Sequence, residues 1–300
     1  MNRPNLSLGS WAFAFGPFSK EPWSFSRVLE FIADAGYDGV EINGFRPHPH
    51  PDDFDTPEKC RDLIRQIEDW GLGVSGYAPD FSSVPPAVVD EPIYMRTFEK
   101  CLSFCVNCGI TALRVDTVSP PEFLTSEEFN IRFSRLTRTW HQAAEIAQKA
   151  GVRLLWEFEP GFWLNKPSEV RRIVESVDQE NFKLIFDTSH AYMGAVIGAK
   201  HTGDKELLMG GVSEYARILA TDIGHLHLID SDGTLHNNET STHTAFGQGS
   251  IDFIDVLTEL KPVISQLPWW CVDFCFNPQT PVLGKEAVPF VHHLMDKVLA

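Results

Sequence analysis

Residues 151–190 read GVRLLWEFEPGFWLNKPSEVRRIVESVDQENFKLIFDTSH. Two short apolar runs, Arg153–Glu159 and Lys183–Asp187, flank an amphipathic stretch, Val170–Val177. The runs have the length and bounding turn residues of buried strands, and the stretch between them has helical spacing. Ser168, between Pro167 and Glu169, reads as the N-cap that opens the helix. The segment is therefore strand, helix, strand. Glu157 shares a strand face with Leu155, and Asp187 stands at the tip of the second run.

The same alternation extends both ways. Further strands are expected at Leu6–Phe13, Gly39–Asn43, Gly73–Tyr77, Ala112–Asp116, His225–Asp230 and Trp270–Phe276. Amphipathic stretches lie between them, among them Ser26–Ala35, Asp62–Trp70, Thr97–Cys108, Arg132–Ala150, Lys205–Leu219, Phe253–Leu260 and Ala287–Leu299. Gly36, Gly71, Gly109 and Gly151 follow helical stretches and suit left-handed caps. Eight alternations over 300 residues, without a linker or a composition shift, predict an α/β chain folded as one (β/α)8 TIM barrel domain over residues 1–300. Phe45–Thr56, Tyr77–Pro92 and Ser231–Ser250 follow strands two, three and seven and are expected on the catalytic face.

In such a barrel the strand ends converge on one mouth. Four of the eight runs end in Glu157, Asp187, His227 and Asp273. A charged group in an apolar strand is costly to bury unless it is paired or binds a cation. One such residue is more often a buried polar group with a local partner. Four in successive strands point to a mixed oxygen and nitrogen site for a divalent metal. Asp187 and His190, three residues apart, suit one metal or its immediate surroundings. His225 and His227 face one side of their strand.

Composition narrows the partners. Lys and Arg number 25 against 41 Asp and Glu, a net charge of −16, and no basic run appears, which argues against nucleic acid. No apolar stretch reaches the ~18 residues of a membrane span. The N-terminus reads directly into a strand, so a cytoplasmic location is expected. The six cysteines suit reduced thiols. Cys101, Cys105 and Cys108 have iron–sulfur spacing but lie on one stripe of an amphipathic helix, which is read as core packing.

Other features belong to the mouth. Arg46-Pro47-His48-Pro49-His50-Pro51 follows the second strand as a proline-stiffened rim, either a substrate-contacting loop with Arg46 and His48 or a locked surface loop. Glu41 and Asn43 share a face and are candidates for hydrogen-bonding a polar ligand. Arg114 and Asp116 are expected to form an ion pair inside the barrel. Trp11, Phe13, Phe15, Phe45, Tyr77, Phe81, Phe162, Trp163, Tyr192 and Phe276 collect near the mouth and favour a substrate that is not strongly polar.

In GYDGVEING, GVRLLWEFEPG, FDTSHAYM, IGHLHLIDSDG and FGQGSIDF the chain resembles the xylose isomerase-like superfamily of TIM barrels. That group includes ketose 3-epimerases, inosose dehydratases, hydroxypyruvate isomerases and the endonuclease IV type of repair enzyme. The resemblance implies a divalent metal, first Mn2+, with Mg2+, Co2+ or Zn2+ as alternatives, held by Glu157, Asp187, His227 and Asp273. Family members usually carry Glu at the last position, so Asp273 is one methylene short. Glu157, His190 and Asp273 become the catalytic candidates, and Glu41, Arg46, His48, His190 and His243 the substrate-binding ones. Many relatives have a substrate-binding Arg after strand seven, and none occurs between Leu228 and Leu260.

The implied reaction is removal of a proton α to a sugar carbonyl through a metal-stabilised enediolate, as in isomerases and epimerases. A first alternative is a lyase that cleaves 3-keto C-glycosides by β-elimination, like the large subunit of C-glycoside deglycosidases. A second is a non-catalytic sugar-binding or assembly subunit. A remote one is an endonuclease IV-like phosphodiesterase, which needs three zinc ions and an Asp where this chain has Ser241. The expected substrate is a small sugar or glycoside. The expected assembly is a homo-oligomer, or a hetero-oligomer with a small partner subunit, with no nucleic-acid or membrane partner.

Overall fold

The computed structural model describes residues 3–300. In chain order the strands are β1 (Asn5–Gly9), β2 (Gly39–Asn43), β3 (Gly73–Ala78), β4 (Ala112–Val115), β5 (Arg153–Glu157), β6 (Phe182–Asp187), β7 (Ile223–Leu228), β8 (Leu235–His236), β9 (Thr240–Ser241) and β10 (Trp269–Val272). The helices are α1 (Phe25–Ala35), α2 (Pro57–Glu68), α3 (Glu91–Cys108), α4 (Ser126–Lys149), α5 (Pro167–Val177), α6 (Thr188–Tyr192), α7 (Gly211–Leu219), α8 (Phe253–Ile264) and α9 (Thr280–Leu299). β1 to β7 and β10 pair in parallel and close on themselves, with β1 between β2 and β10. The expected eight-stranded barrel is therefore the fold. β8 and β9 form a small antiparallel hairpin over the mouth.

Outward-facing side chains such as Leu6, Leu8, Val40, Leu154 and Leu226 are fully buried in the core between strands and helices. The inward side is layered. Ala112, Leu155 and Ile185 form a separate apolar cluster inside the barrel. Two residues along each strand brings the next inward side chain, because the strand repeat is two. Leu155 thus leads to Glu157, Ile185 to Asp187, His225 to His227 and Cys271 to Asp273. Between β6 and β7 the register slips at Leu184/Ile185, which leaves Gly224 as the extra residue and sets Asp187 beside His227. A Cβ on Gly224 would fall 2.6 Å from the Lys183 Cβ, so the slip needs glycine there.

Several boundaries differ from the sequence reading. β1 stops at Gly9, and Ser10–Phe13 coils into a 3-10 turn. β10 stops at Val272, where its pairing with Leu8 of β1 and Leu228 of β7 ends. β5 ends at Glu157, and β7 starts two residues earlier than expected. Helix α5 is capped by Lys166, not Ser168: Pro167 takes the first turn and the Glu169 carboxylate accepts the Lys166 N–H at 3.2 Å. Ser168 instead donates through its N–H and hydroxyl to Glu206. The four cap glycines all adopt the left-handed backbone. Cys101, Cys105 and Cys108 are buried in the core, and among the described residues they form no metal-ligand cluster.

Candidate metal centre

Glu157 from β5, Asp187 from β6, His227 from β7 and Asp273 just past β10 offer one ligand atom each, all within 4.8 Å of one another. All four are buried. His227 Nδ1 lies 2.7 Å from Glu157 Oε1 and 3.7 Å from Asp273 Oδ2. Asp187 divides its work: Oδ1 accepts the His190 N–H at 2.8 Å and so caps α6, which leaves Oδ2 for the cluster.

Beneath the quartet, Glu41 joins the two imidazoles of β7. His225 Nε2 lies 2.8 Å from Glu41 Oε2, and His227 Nε2 lies 3.2 Å from the same oxygen. Glu41 therefore fixes the His227 ring from behind and leaves Nδ1 for the quartet, as a carboxylate behind a metal-bound imidazole does. Glu41 is 1% exposed and does not line the cavity.

The rim holds the rest. His190 lines the cavity; its Nδ1 is hydrogen-bonded to the Ser241 hydroxyl at 2.6 Å, and its Nε2 lies 3.6 Å from Glu159 Oε2. Glu159 accepts from Thr240 Oγ1, so the β8–β9 hairpin is docked on loops five and six. His243 Nδ1 accepts the Cys275 backbone N–H at 3.0 Å, which places its own hydrogen on Nε2. That Nε2 is buried with no partner and belongs to a residue of the cavity wall. Just past β7, Asp230 accepts the N–H groups of Gly247 and Gly249 at 2.9 and 3.0 Å, so the Gly-x-Gly amides serve an internal carboxylate.

Arg46 and His48 are not brought to the quartet. Arg46 turns outward, donating to Asp53 at 2.7 Å and 3.0 Å. His48 is 1% exposed, with Nε2 3.1 Å from the Trp23 carbonyl and Nδ1 3.1 Å from the Ser10 hydroxyl. Neither lines the cavity. The proline-rich rim packs against the β1 side of the barrel, so its histidine is held in the wall.

Three site residues lay outside the sequence reading of the quartet. Arg114 makes the expected pair with Asp116 at 3.0 Å but also contacts Glu157 Oε2. Glu159 stands two residues past the end of β5, inside the quoted motif. Trp11 donates its indole N–H to Asp273 Oδ1 at 2.6 Å across 262 residues of sequence. Arg114 and Trp11 were expected inside the barrel and at its mouth but not against the quartet, and Glu159 carried only its motif position as a signal.

The cavity above the quartet measures about 440 Å3. Its polar floor holds Glu157, His190, His243 and Asp273, and its walls include Trp11, Phe15, Phe45, Phe81, Phe162 and Phe276. Of the expected aromatics, Phe13, Tyr77 and Trp163 are core instead. Phe15 packs edge-on to Phe45 at 5.2 Å, and Phe276 stacks on His236 at 4.4 Å.

Charge in the site is unbalanced. Burial pushes the Asp187 pKa up to about 8, reinforced by the negative Asp273 and Glu157. Burial also opposes charge on His227, yet Glu157 and Glu41 outweigh it and hold that ring well above its usual value. Burial raises Glu159 to about 7 and lowers His190 to about 3. Both Glu157 oxygens, Asp187 Oδ2 and His227 Nδ1 are buried without a hydrogen bond of acceptable geometry. Asp187 Oδ2 has no partner at all, and the other three meet only one another and Arg114, which calls for an explanation. Asp187 held toward its neutral form and His227 toward its charged form are the response of three crowded carboxyl groups sharing one imidazole; a divalent ion would hold all three as carboxylates and the imidazole as the neutral ring. Oxygen and imidazole donors suit Mn2+, Mg2+, Co2+ or Zn2+. The residues present therefore fit a divalent metal.

A closed parallel barrel with a carboxylate–imidazole cluster at its C-terminal mouth defines the class. The chain belongs to the xylose isomerase-like TIM barrel family, whose sequence model matches residues 29–263. It is similar to an inosose dehydratase of Mesomycoplasma hyopneumoniae strain 7448, 23% identical over 240 residues, 75% of this chain and 69% of that one. It is similar to a fructoselysine 3-epimerase of Escherichia coli O157:H7, 22% identical over 246 residues, 76% of this chain and 78% of that one. Among solved structures, a D-tagatose 3-epimerase-like protein superposes with a TM-score of 0.73 at 20% identity, over 99% of this chain and 100% of that one. The IolI protein solved with a zinc atom does so with a TM-score of 0.66 at 17% identity, over 98% of each chain. Among the described residues, no helix is long and apolar enough to cross a membrane.

Proposed function

We propose that this chain is a divalent-metal-dependent carbohydrate enzyme of the isomerase or epimerase type, which removes a proton α to a sugar carbonyl. The observation that carries this reading is the set of four convergent, buried donors, one of them with a partnerless oxygen, Asp187 Oδ2, and two of them, Glu157 and Asp273, opening onto the cavity. The family and the names of its relatives support it.

Glu157, Asp187, His227 and Asp273 would hold the ion, with Mn2+ as our first assignment. A bound divalent ion polarises a carbonyl and its neighbouring hydroxyl and steadies the negative charge that develops when the proton leaves. We assign the base to Glu157. It lines the cavity, and although burial opposes its charge, Arg114 and His227 keep its pKa low, so that a carboxylate oxygen is ready to take the proton. His243 presents its unpartnered Nε2–H to a substrate oxygen, and His190 binds beside it. Asp273 acts as a ligand: one oxygen is taken by the indole of Trp11, and its side chain is short. Arg46 and His48 play no part in substrate contact, and Glu41 acts by steadying His227.

The substrate is neutral at the contacting groups. Among the described residues, the cavity's one cation apart from the histidines is Arg114, already engaged by Asp116 and Glu157, so a phosphate would find no free guanidinium. The phenylalanine walls favour a second reading, elimination from a 3-keto C-glycoside whose flat aglycone packs on those rings. Oligomerisation, alone or with a small partner subunit, and a cytoplasmic location complete the reading. The deciding assay offers Mn2+-loaded protein free ketoses and 3-keto O- and C-glycosides. Epimerised ketose supports the first reading and released aglycone the second. Protein that carries no divalent metal and whose activity survives chelation refutes both.

A further inference from the structure

We infer that Trp11 is a positioning residue of the metal centre: its indole, held flat over Gly9, aims the carboxylate of Asp273 and makes up for that residue's short reach. The inference rests on the metal reading above.

The indole Nε1–H donates to Asp273 Oδ1 at 2.6 Å, a short bond to an ionised acceptor. Trp11 is 4% exposed, and its ring centroid lies 5.5 Å from that of His227, so it touches the ligand shell on two sides. The backbone is built for this placement. A Cβ on Gly9 would fall 2.2 Å from Trp11 Cε2 and Cζ2, so the ring occupies the space that any side chain at that position would need. His243 Nδ1 lies 3.3 Å from the same Asp273 oxygen, but it already accepts the Cys275 N–H, so the indole is the better donor.

An aspartate carboxylate turns freely about its last torsion, whose energy wells are broad. With Oδ1 tied to the indole, Oδ2 faces His227 Nδ1 at 3.7 Å, toward the other three ligands. Removing the donor releases that rotation. Loss of a partner behind a ligand typically weakens metal affinity about 10- to 100-fold.

The test is Mn2+ binding by the full chain, read from the electron paramagnetic resonance of free Mn2+, with thermal melting of the metal-free protein alongside. W11F should bind about 10- to 100-fold more weakly than wild type. G9A, which keeps the indole but displaces it, should do the same and serves if W11F does not fold. D273E alone should gain nothing, because the longer arm meets the indole. W11F/D273E should recover affinity over W11F, because the longer arm no longer needs the clamp. W11F within twofold of wild type, or a double variant no better than W11F, overturns the inference and leaves the metal reading standing. Wild type that binds no Mn2+ refutes the metal reading itself.

Discussion

Arg114 lends itself to a quantitative test because its surroundings are so lopsided. Its guanidinium contacts Asp116 and Glu157, and the side chains are 16%, 11% and 1% exposed respectively. Replacing it with methionine keeps an apolar stem of similar length and strands both carboxylates. Breaking a buried pair by removing one partner costs about 3–5 kcal/mol, since the remaining charge is left uncompensated. For a chain of this size, 1 kcal/mol corresponds to about 2 °C of melting temperature, so metal-free R114M should melt roughly 6–10 °C below wild type. The ion then takes on part of the lost charge. Removal of a nearby cation favours its binding, so added Mn2+ should raise the melting temperature of R114M more than that of wild type. At a common Mn2+ concentration, 100 times the wild-type Kd, the wild-type gain is about 2.7 kcal/mol, and any excess in R114M measures the tighter binding. Calorimetry with EDTA and with Mn2+ reads both quantities. Metal-free R114M within about 2 °C of wild type, or a smaller Mn2+ increment in the variant, would show that the guanidinium does not balance this cluster.

Three further outcomes follow from other parts of the site. E41Q should keep the fold and weaken Mn2+ binding about 10- to 100-fold, because the His227 ring loses the carboxylate that orients it; unchanged affinity by competition titration would remove Glu41 from that role. His48 should govern part of the acid response. Burial lowers its pKa from the usual 6.5 to about 4, so it adds nothing above pH 6.5, and stability drains away between pH 6.5 and 4 as the unfolded chain takes the proton first. The full loss is about 3 kcal/mol, so the stability gap between wild type and H48Q should shrink from pH 7 to pH 4.5 in urea titrations, and a constant gap refutes the buried neutral ring. F276A should weaken binding of a phenyl glycoside about 10- to 100-fold, the worth of one buried aromatic contact, while a methyl glycoside binds as before. Equal losses for both would mean that the ring shapes the site rather than the aglycone subsite.

The barrel and its quartet were legible because both are periodic. Apolar runs of strand length ending in Glu157, Asp187, His227 and Asp273 announce themselves, and parallel closure alone brings their ends together. What escaped the sequence depends on closure in detail. Trp11 meets Asp273 only because β1 pairs with β10, and nothing near either residue marks the partner. Arg114 was assigned its neighbour two residues on, yet its second contact reaches across to β5. Glu41 and His48 carried the right residue types for sugar contact, but burial decides their work, and burial is set by packing. The helix α5 cap moved by two residues because Pro167 fixes the first turn and Glu169 reaches the Lys166 amide.

The pairing of β1 with β10 has a consequence for biosynthesis. Trp11 emerges from the ribosome 262 residues before Asp273, and their hydrogen bond lies on the seam where the sheet shuts. Three of the four donors are made earlier, but the fourth and its clamp exist together only after the final strand has docked. A nascent or C-terminally damaged chain therefore has no finished pocket to capture an ion. On the metal reading, uptake of an ion would certify completed topology, and an ion bound across the seam would hold shut the junction between the first and last strands of the barrel.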